Sequence, residues 1–332
     1  MTSQSNSGNI FQLTAIWAFL EVTLGGILHA LRVPLTGFLV GGSAVIILSV
    51  MSLNTTTKVK TILQATFYVI LVKAGASPHS PPPAYLAVAF QGLAAALFFT
   101  FVKNFRIAVL LFSIVSMMES ASQKFIIMTI LYGESIWKAF DSFSKSVLDS
   151  FGLQVQSNVA YNYILGYILL YSLWGLILGI WIGGVRQRLP LNKNRWAKKV
   201  SSADESEPVR KPRRFKSMFL LYYMLIMLGI FGVFLVIEED TNNLIYIVLR
   251  SITAVVLVFG VINPLFKWWL KKQTKNEGYA AHVAKITSEF ITLRTDYTQA
   301  LELTKKAKWR PDRYLKGVEL LIAKRVQLDD EW

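Results

Sequence analysis

An all-α fold embedded in a membrane follows from three features of the sequence. Separate apolar runs of about 18 to 25 residues recur along the chain, and about 20 helical residues span a hydrocarbon core. The composition, 53% hydrophobic and 17% charged with a mean hydropathy of +0.44, is too apolar for a water-soluble chain of 332 residues. The strict apolar–polar alternation of a membrane barrel is absent, which leaves helices as the way to satisfy the backbone inside lipid.

The runs predict eight spans at 10–31, 36–53, 58–76, 83–102, 107–133, 161–185, 217–237 and 244–270. They divide the chain into a six-span bundle (1–185), a basic linker (186–216), a two-helix transmembrane hairpin (217–270) and a cytoplasmic helical tail (271–332). With the N-terminus inside, the inner segments carry eighteen Lys and Arg and the outer segments carry Arg32, Lys138 and Lys145 alone. This asymmetry predicts a multi-pass plasma (inner) membrane protein with both termini cytoplasmic. It also gives the net charge of +15 a membrane explanation, and no nucleic-acid motif accompanies that charge. The polar start MTSQSNSGNIFQ lacks the basic region of a cleavable signal, so the first helix is expected to be retained.

Span one places Glu21 inside an apolar run, with His29 at its end. An ionisable group at bilayer depth costs a few kcal/mol and is expected to face a partner or a cavity. Glu21 therefore reads as half of an ion pair with a base on another span, Lys73 or Lys124. Gln64 and Lys73 lie in span three, Gln91 in span four, and Glu119, Ser122, Gln123 and Lys124 in span five. Opposite charges at similar depth suggest one connected network, either a structural ion-pair system or a ligand site.

The outer loops are polar in the same sense. Span one leads into His29-Ala-Leu-Arg32-Val-Pro34, and span three into Ser77-Pro-His79-Ser-Pro-Pro-Pro83, whose prolines hold an extended backbone. Histidines at 29 and 79 have no HxH or HxxxH spacing, so no metal is expected. Between spans five and six, 134–153 carries Ile136, Trp137, Phe140, Phe143, Val147, Leu148 and Phe151 on one helical face and charges on the other. That pattern predicts a helix lying flat at the outer surface, or folded over the bundle as a lid. Glycines at 175, 179 and 183, and at 37 and 41, recur every four residues, which permits close approach of helix backbones inside the bundle or against another subunit.

The linker 186–216 carries eleven Lys and Arg and is interrupted by Pro190, Pro208 and Pro212, as expected for a flexible segment near anionic headgroups. The hairpin 217–270 turns at EEDTNN. In the tail, Val283, Ile286, Phe290, Leu293, Tyr297 and Leu301 form one helical stripe, and Tyr314, Val318, Leu321 and Ile322 a second that starts near Pro311. These stripes are expected to pack on each other or on a partner protein.

Chemistry motifs are missing. There is no cysteine, no phosphate-cradling lysine loop, no HExxH and no G-x-S-x-G, so neither a catalytic residue nor a cofactor is assigned. Any ATP-driven work would need a separate subunit.

Six spans with both ends inside, in about 185 residues, with polarity gathered at Gly25–Gly37, Ser77–Pro83 and Glu134–Asn158, resemble the substrate-binding S component of energy-coupling factor transporters. The resemblance covers residues 10–185 and is architectural. The family's Ala-xxx-Ala docking stripe has only a looser counterpart in Ala15, Ala18, Gly25, Gly26 and Ala30. It implies capture of a small solute, such as a vitamin or an anionic precursor, and delivery driven by a coupling subunit and ATPases that meet 186–216 and 271–332. Lys73, Lys124, Arg32 and His29 would then donate to the solute, with Glu21, Gln91 and Glu119 holding them in place and the aromatic-rich helix 134–153 closing over it; His79, Gln123 and Trp137 complete the candidate ligand-binding set. The rival readings are a non-transporting scaffold that recruits a cytoplasmic partner, and a membrane-embedded enzyme acting on a lipid or isoprenoid.

Overall fold

The computed structural model describes residues 2–26, 36–77, 80, 82–153, 158–190, 248–249, 251–274, 276–304 and 310–326. Every regular segment among them is helical. His29, Arg32, His79 and the span expected at 217–237 lie outside the described residues.

Helix α1 runs over Thr2–Phe19 and continues through a π-helical turn at Leu20–Leu24, so it begins well before the apolar run does. Then come α2 (Thr36–Leu53), α3 (Lys58–Ala76), α4 (Pro82–Phe101) and α5 (Phe105–Tyr132). They are followed by α6 (Ser135–Ser150) and α7 (Val159–Gly183). Asn104 and Asn158 accept from the first free N–H groups of α5 and α7, which starts each helix where the sequence leaves its polar turn. Gly133, at φ +74°, ends α5 in a backbone region that side chains disfavour, and the chain turns there into α6.

Past the linker, α8 (Ser251–Thr274) contains a π-helical stretch at Val256–Ile262. The chain ends in α9 (Glu277–Ser288), α10 (Phe290–Leu303) and α11 (Arg310–Arg325). Six of these helices, α2 to α5, α7 and α8, are long and apolar enough to cross a membrane.

The centre of the molecule is α2, which packs on α1, α3, α4, α5, α7 and α11. Its small residues allow this crowding: a side chain at Gly37 would meet Tyr171, and one at Gly42 would meet Leu178 and Leu315. The closest helix pair is α5 with α7, where Gly175 and Gly179 lie against the α5 backbone at Ser113, Ile114 and Leu110. The glycine stripe of span six thus serves packing inside the bundle. Leu93, Leu97, Ile126, Ile130, Ile177 and Ile180 leave an apolar outer surface on α4, α5 and α7.

The tail packs on itself in a small cluster of Ala300, Leu303 and Leu320, but most of its apolar surface joins the core of the bundle. Leu293, Val318 and Leu321 are fully buried in the same apolar cluster as Leu13–Leu20 of α1 and Val45–Met51 of α2. Phe290 and Tyr297 pack edge-on against Phe19, and Lys285 sits over the Phe11 ring. The stripes read from the sequence are buried as expected, but they cover α1 and α2 in addition to each other. The reason is that α1 is apolar nearly all round at residues 13–20 and needs a cover on the side away from α2 and α3.

Candidate functional site

The polar side chains of the bundle gather at three places. At the rim where α1 ends and α4 begins, Lys73 Nζ donates to Glu21 Oε2 at 2.7 Å and to Ala84 O at 3.2 Å. Both side chains are 4% exposed. The π-helical turn carries Glu21 at the junction of α1 with α2 and α3, and such turns concentrate at functional positions. Tyr314 of α11 reaches this neighbourhood. Its phenol pKa is pushed up, chiefly by burial and in smaller part by the charge of Glu21.

Gln123 Nε2 donates to Pro83 O at 2.8 Å, so Lys73 and Gln123 fasten the first turn of α4 from two sides. Lys124 does not join them. It is exposed, and its ammonium donates to Tyr167 Oη at 3.2 Å on α7. The single network expected from the sequence is therefore split, because adjacent positions on α5 point 100° apart: Gln123 faces α4 and Lys124 faces α7. Trp137 donates to Thr129 Oγ1 at 2.8 Å and its ring lies beside Phe125, which ties α6 down onto α5.

The second place is the middle of the seam between α4 and α5. Gln91 Oε1, Ser116 Oγ and Glu119 Oε2 are buried there without a hydrogen-bond partner among the described residues.

The third place lies at the opposite rim, where α1 starts and the chain turns from α2 into α3. A chamber of about 660 Å³ opens between these segments and α9. Ser7, Gly8, Ile10, Phe11 and Thr14 line it from α1, Asn54, Thr55 and Thr56 from the turn, and Thr61, Gln64, Ala65 and Tyr68 from α3. His282, Lys285 and Ile286 of α9 close it. Asn9 donates to Asn54 across the α1–α2 contact at 3.0 Å, and Thr55, Thr57 and Thr61 share hydroxyl contacts. His282 stacks on Tyr68 with ring centres 5.1 Å apart. None of the lining residues is acidic, and two carry bases. In the sequence the one signal of this site is the run Asn54-Thr-Thr-Thr57 between two apolar spans, which the expected polar network does not include.

A smaller cavity of about 320 Å³ sits against α8, lined by Ala74, Gly75, Tyr85, Lys267, Lys271 and Thr274. Among the described residues no group of His, Asp and Glu is placed to hold a metal ion.

The fold defines an all-α protein with six helices able to cross a membrane. No family model matches the chain, and no curated protein or solved structure matches it either.

Proposed function

We propose that this is a membrane protein that binds a small, polar solute carrying negative charge in the chamber between α1, α3 and α9. The observation that carries the reading is the lining itself. About 660 Å³ lies within the usual range of ligand pockets, and hydroxyl and amide groups surround it, with Lys285 and His282 as the bases and no carboxylate among the described residues that line it. Aromatic walls from Phe11 and Tyr68 supply the apolar part of such a site. By the Lys and Arg of residues 58–60, 103–106 and 186–216 the chamber faces the cytoplasm, whereas Lys267 and Lys271, expected on that same side, line the cavity beside Ala74, Gly75 and Tyr85 at the opposite rim. Delivery by a coupling subunit and ATPases is a separate extension of this proposal to transport, since the S-component resemblance rests on the outer loops, whereas this chamber lies at the opposite rim and is closed by α9, outside residues 10–185.

The scaffold reading needs a tail free to recruit a partner. Leu293, Val318 and Leu321 are instead spent on α1 and α2, which favours a tail that completes a site. Native mass spectrometry of the full chain purified in mild detergent tests the proposal. Wild type is expected to retain a small-molecule mass that Lys285→Glu and Thr61→Val lose while keeping their melting temperature. A wild-type spectrum without any retained molecule, together with no thermal shift from a panel of small phosphorylated and carboxylated compounds, would leave the scaffold reading. Co-purification of an ATPase with the tagged chain tests the transport extension separately.

A further inference from the structure

The orphaned oxygens between α4 and α5 require an account, since a buried acceptor left unpaired costs more than its hydrogen bond would have contributed. The two helices run antiparallel, and two contacts set their register. Gln123 bonds Pro83 O at one end, and Phe112 packs on Phe99 at the other. Between those contacts, Gln91 stands opposite the turn that carries Ser116 and Glu119. Gln91 is 3% exposed and Ser116 fully buried, and neither finds a partner for its oxygen. Gly41 of α2 backs the same spot: a side chain there would come within 3.5 Å of the Gln91 amide and the Ser120 hydroxyl. The unpartnered atoms are all oxygens, one from a carboxylate and the others from a neutral amide and a hydroxyl. The nearest cations are engaged elsewhere, Lys73 with Glu21 and Lys124 with Tyr167.

We propose that Glu119, Gln91 and Ser116 form a binding site for a small monovalent cation, a proton or a sodium ion. An intramembrane carboxylate is retained where it carries an ion or pairs with one, and hard oxygen donors suit an alkali cation. The site is independent of the chamber between α1, α3 and α9, so either assignment survives the failure of the other.

The test uses the full chain in detergent, with sodium, potassium and pH as probes. Melting temperatures of wild type and Glu119→Gln are recorded across sodium concentration at fixed ionic strength, and across pH at fixed sodium. A wild-type response to sodium but not potassium, lost in Glu119→Gln and weakened in Gln91→Leu, identifies a sodium site. A response to pH alone that Glu119→Gln removes identifies a proton site. As a second readout, dicyclohexylcarbodiimide should modify Glu119, with sodium slowing the reaction in the first case and pH governing it in the second. Identical sodium and pH responses in wild type and Glu119→Gln, with carbodiimide modification indifferent to both, would overturn the proposal.

Discussion

Lys73 Nζ and Glu21 Oε2 meet at 2.7 Å, and this contact between α3 and α1 is sealed from solvent on both sides. Breaking such a pair from one side strands a buried charge, which typically costs about 3 to 5 kcal/mol, whereas replacing both partners by apolar groups is often neutral or stabilising. Lys73→Met is therefore expected to lower the melting temperature sharply, because Glu21 loses its counter-charge. Glu21→Leu/Lys73→Met should recover most of the loss. A double variant as unstable as the sum of the single ones would show that the two groups act separately.

The glycines of α7 make a graded prediction. A methyl group at Gly175 would approach Ser113 O at 2.7 Å and Ile114 Cα at 2.8 Å, and one at Gly179 would approach Leu110 Cα at 2.8 Å. Backbone atoms cannot move aside as side chains do, so α5 and α7 must separate. Gly175→Ala and Gly179→Ala are expected to cost about 1 to 3 kcal/mol each, the range for overpacked cores. Gly183 meets only the Arg106 side chain, at 3.6 Å, and Gly183→Ala should be tolerated. Detergent-melt curves of the three variants check the order.

These cases show which parts of the molecule the sequence discloses. Spans 36–53 and 58–76 coincide with α2 and α3, because apolar length is a direct physical requirement of crossing lipid. Glycine spacing at 175 and 179 disclosed the tight helix pair for an equally direct reason, since a missing side chain is readable in one dimension. Partnership is different. Lys73 and Lys124 carry the same charge at the same depth in the sequence, and only the rotation of α3 and α5 sends one to Glu21 and the other to Tyr167. Of the chamber only the Asn54–Thr57 wall is legible, because the rest combines α1 with α9, some 270 residues apart in the chain, and because His282 and Lys285 look like the solvated face of an amphipathic helix.

Asp141 links α6 to the start of α7. Its Oδ1 accepts from the N–H groups of Val159 at 2.6 Å and Ala160 at 3.3 Å, and its Oδ2 pairs with Lys145 at 2.8 Å. The Lys145 side chain first, and the two backbone N–H groups after it, hold the Asp141 carboxyl below the usual carboxylate range. A depressed pKa in the folded state means that this contribution is present above the ordinary value of about 3.9 and is lost as pH falls through the folded one. Hydrogen exchange at residues 159–162, taken relative to the intrinsic base-catalysed rate at each pH, should therefore be slow at neutral pH and quicken on acidification. Asp141→Asn should raise it at neutral pH, and exchange unchanged in that variant would remove Asp141 as the tie.

Arg188, just beyond α7, fastens the last helix to the bundle. Its guanidinium donates to Glu319 Oε1 at 2.9 Å and to Trp181 O at 2.6 Å, and it lies over the Trp181 ring. Burial pushes the Glu319 carboxyl up, and Arg188 opposes the shift. A carboxyl whose folded pKa is raised binds its proton more tightly in the folded state, so ionised Glu319 costs stability above its folded pKa and that cost vanishes as pH falls below the ordinary value of about 4.3. Arg188→Met removes the opposing charge and enlarges the cost. The variant is expected to lose about 1 to 3 kcal/mol near neutral pH, less than a sealed pair because the Arg188 side chain is 32% exposed. The deficit relative to wild type should shrink as pH is lowered, because the variant's Glu319 takes up its proton first. Glu319→Gln, which keeps an acceptor for Arg188 and cannot ionise, should show a smaller deficit at neutral pH, and Arg188→Met/Glu319→Gln should show no pH-dependent deficit over the same range. A deficit in Arg188→Met that stays constant between about pH 4 and pH 8 would mean that the loss comes from the contacts of Arg188 with Trp181, and not from the charge of Glu319.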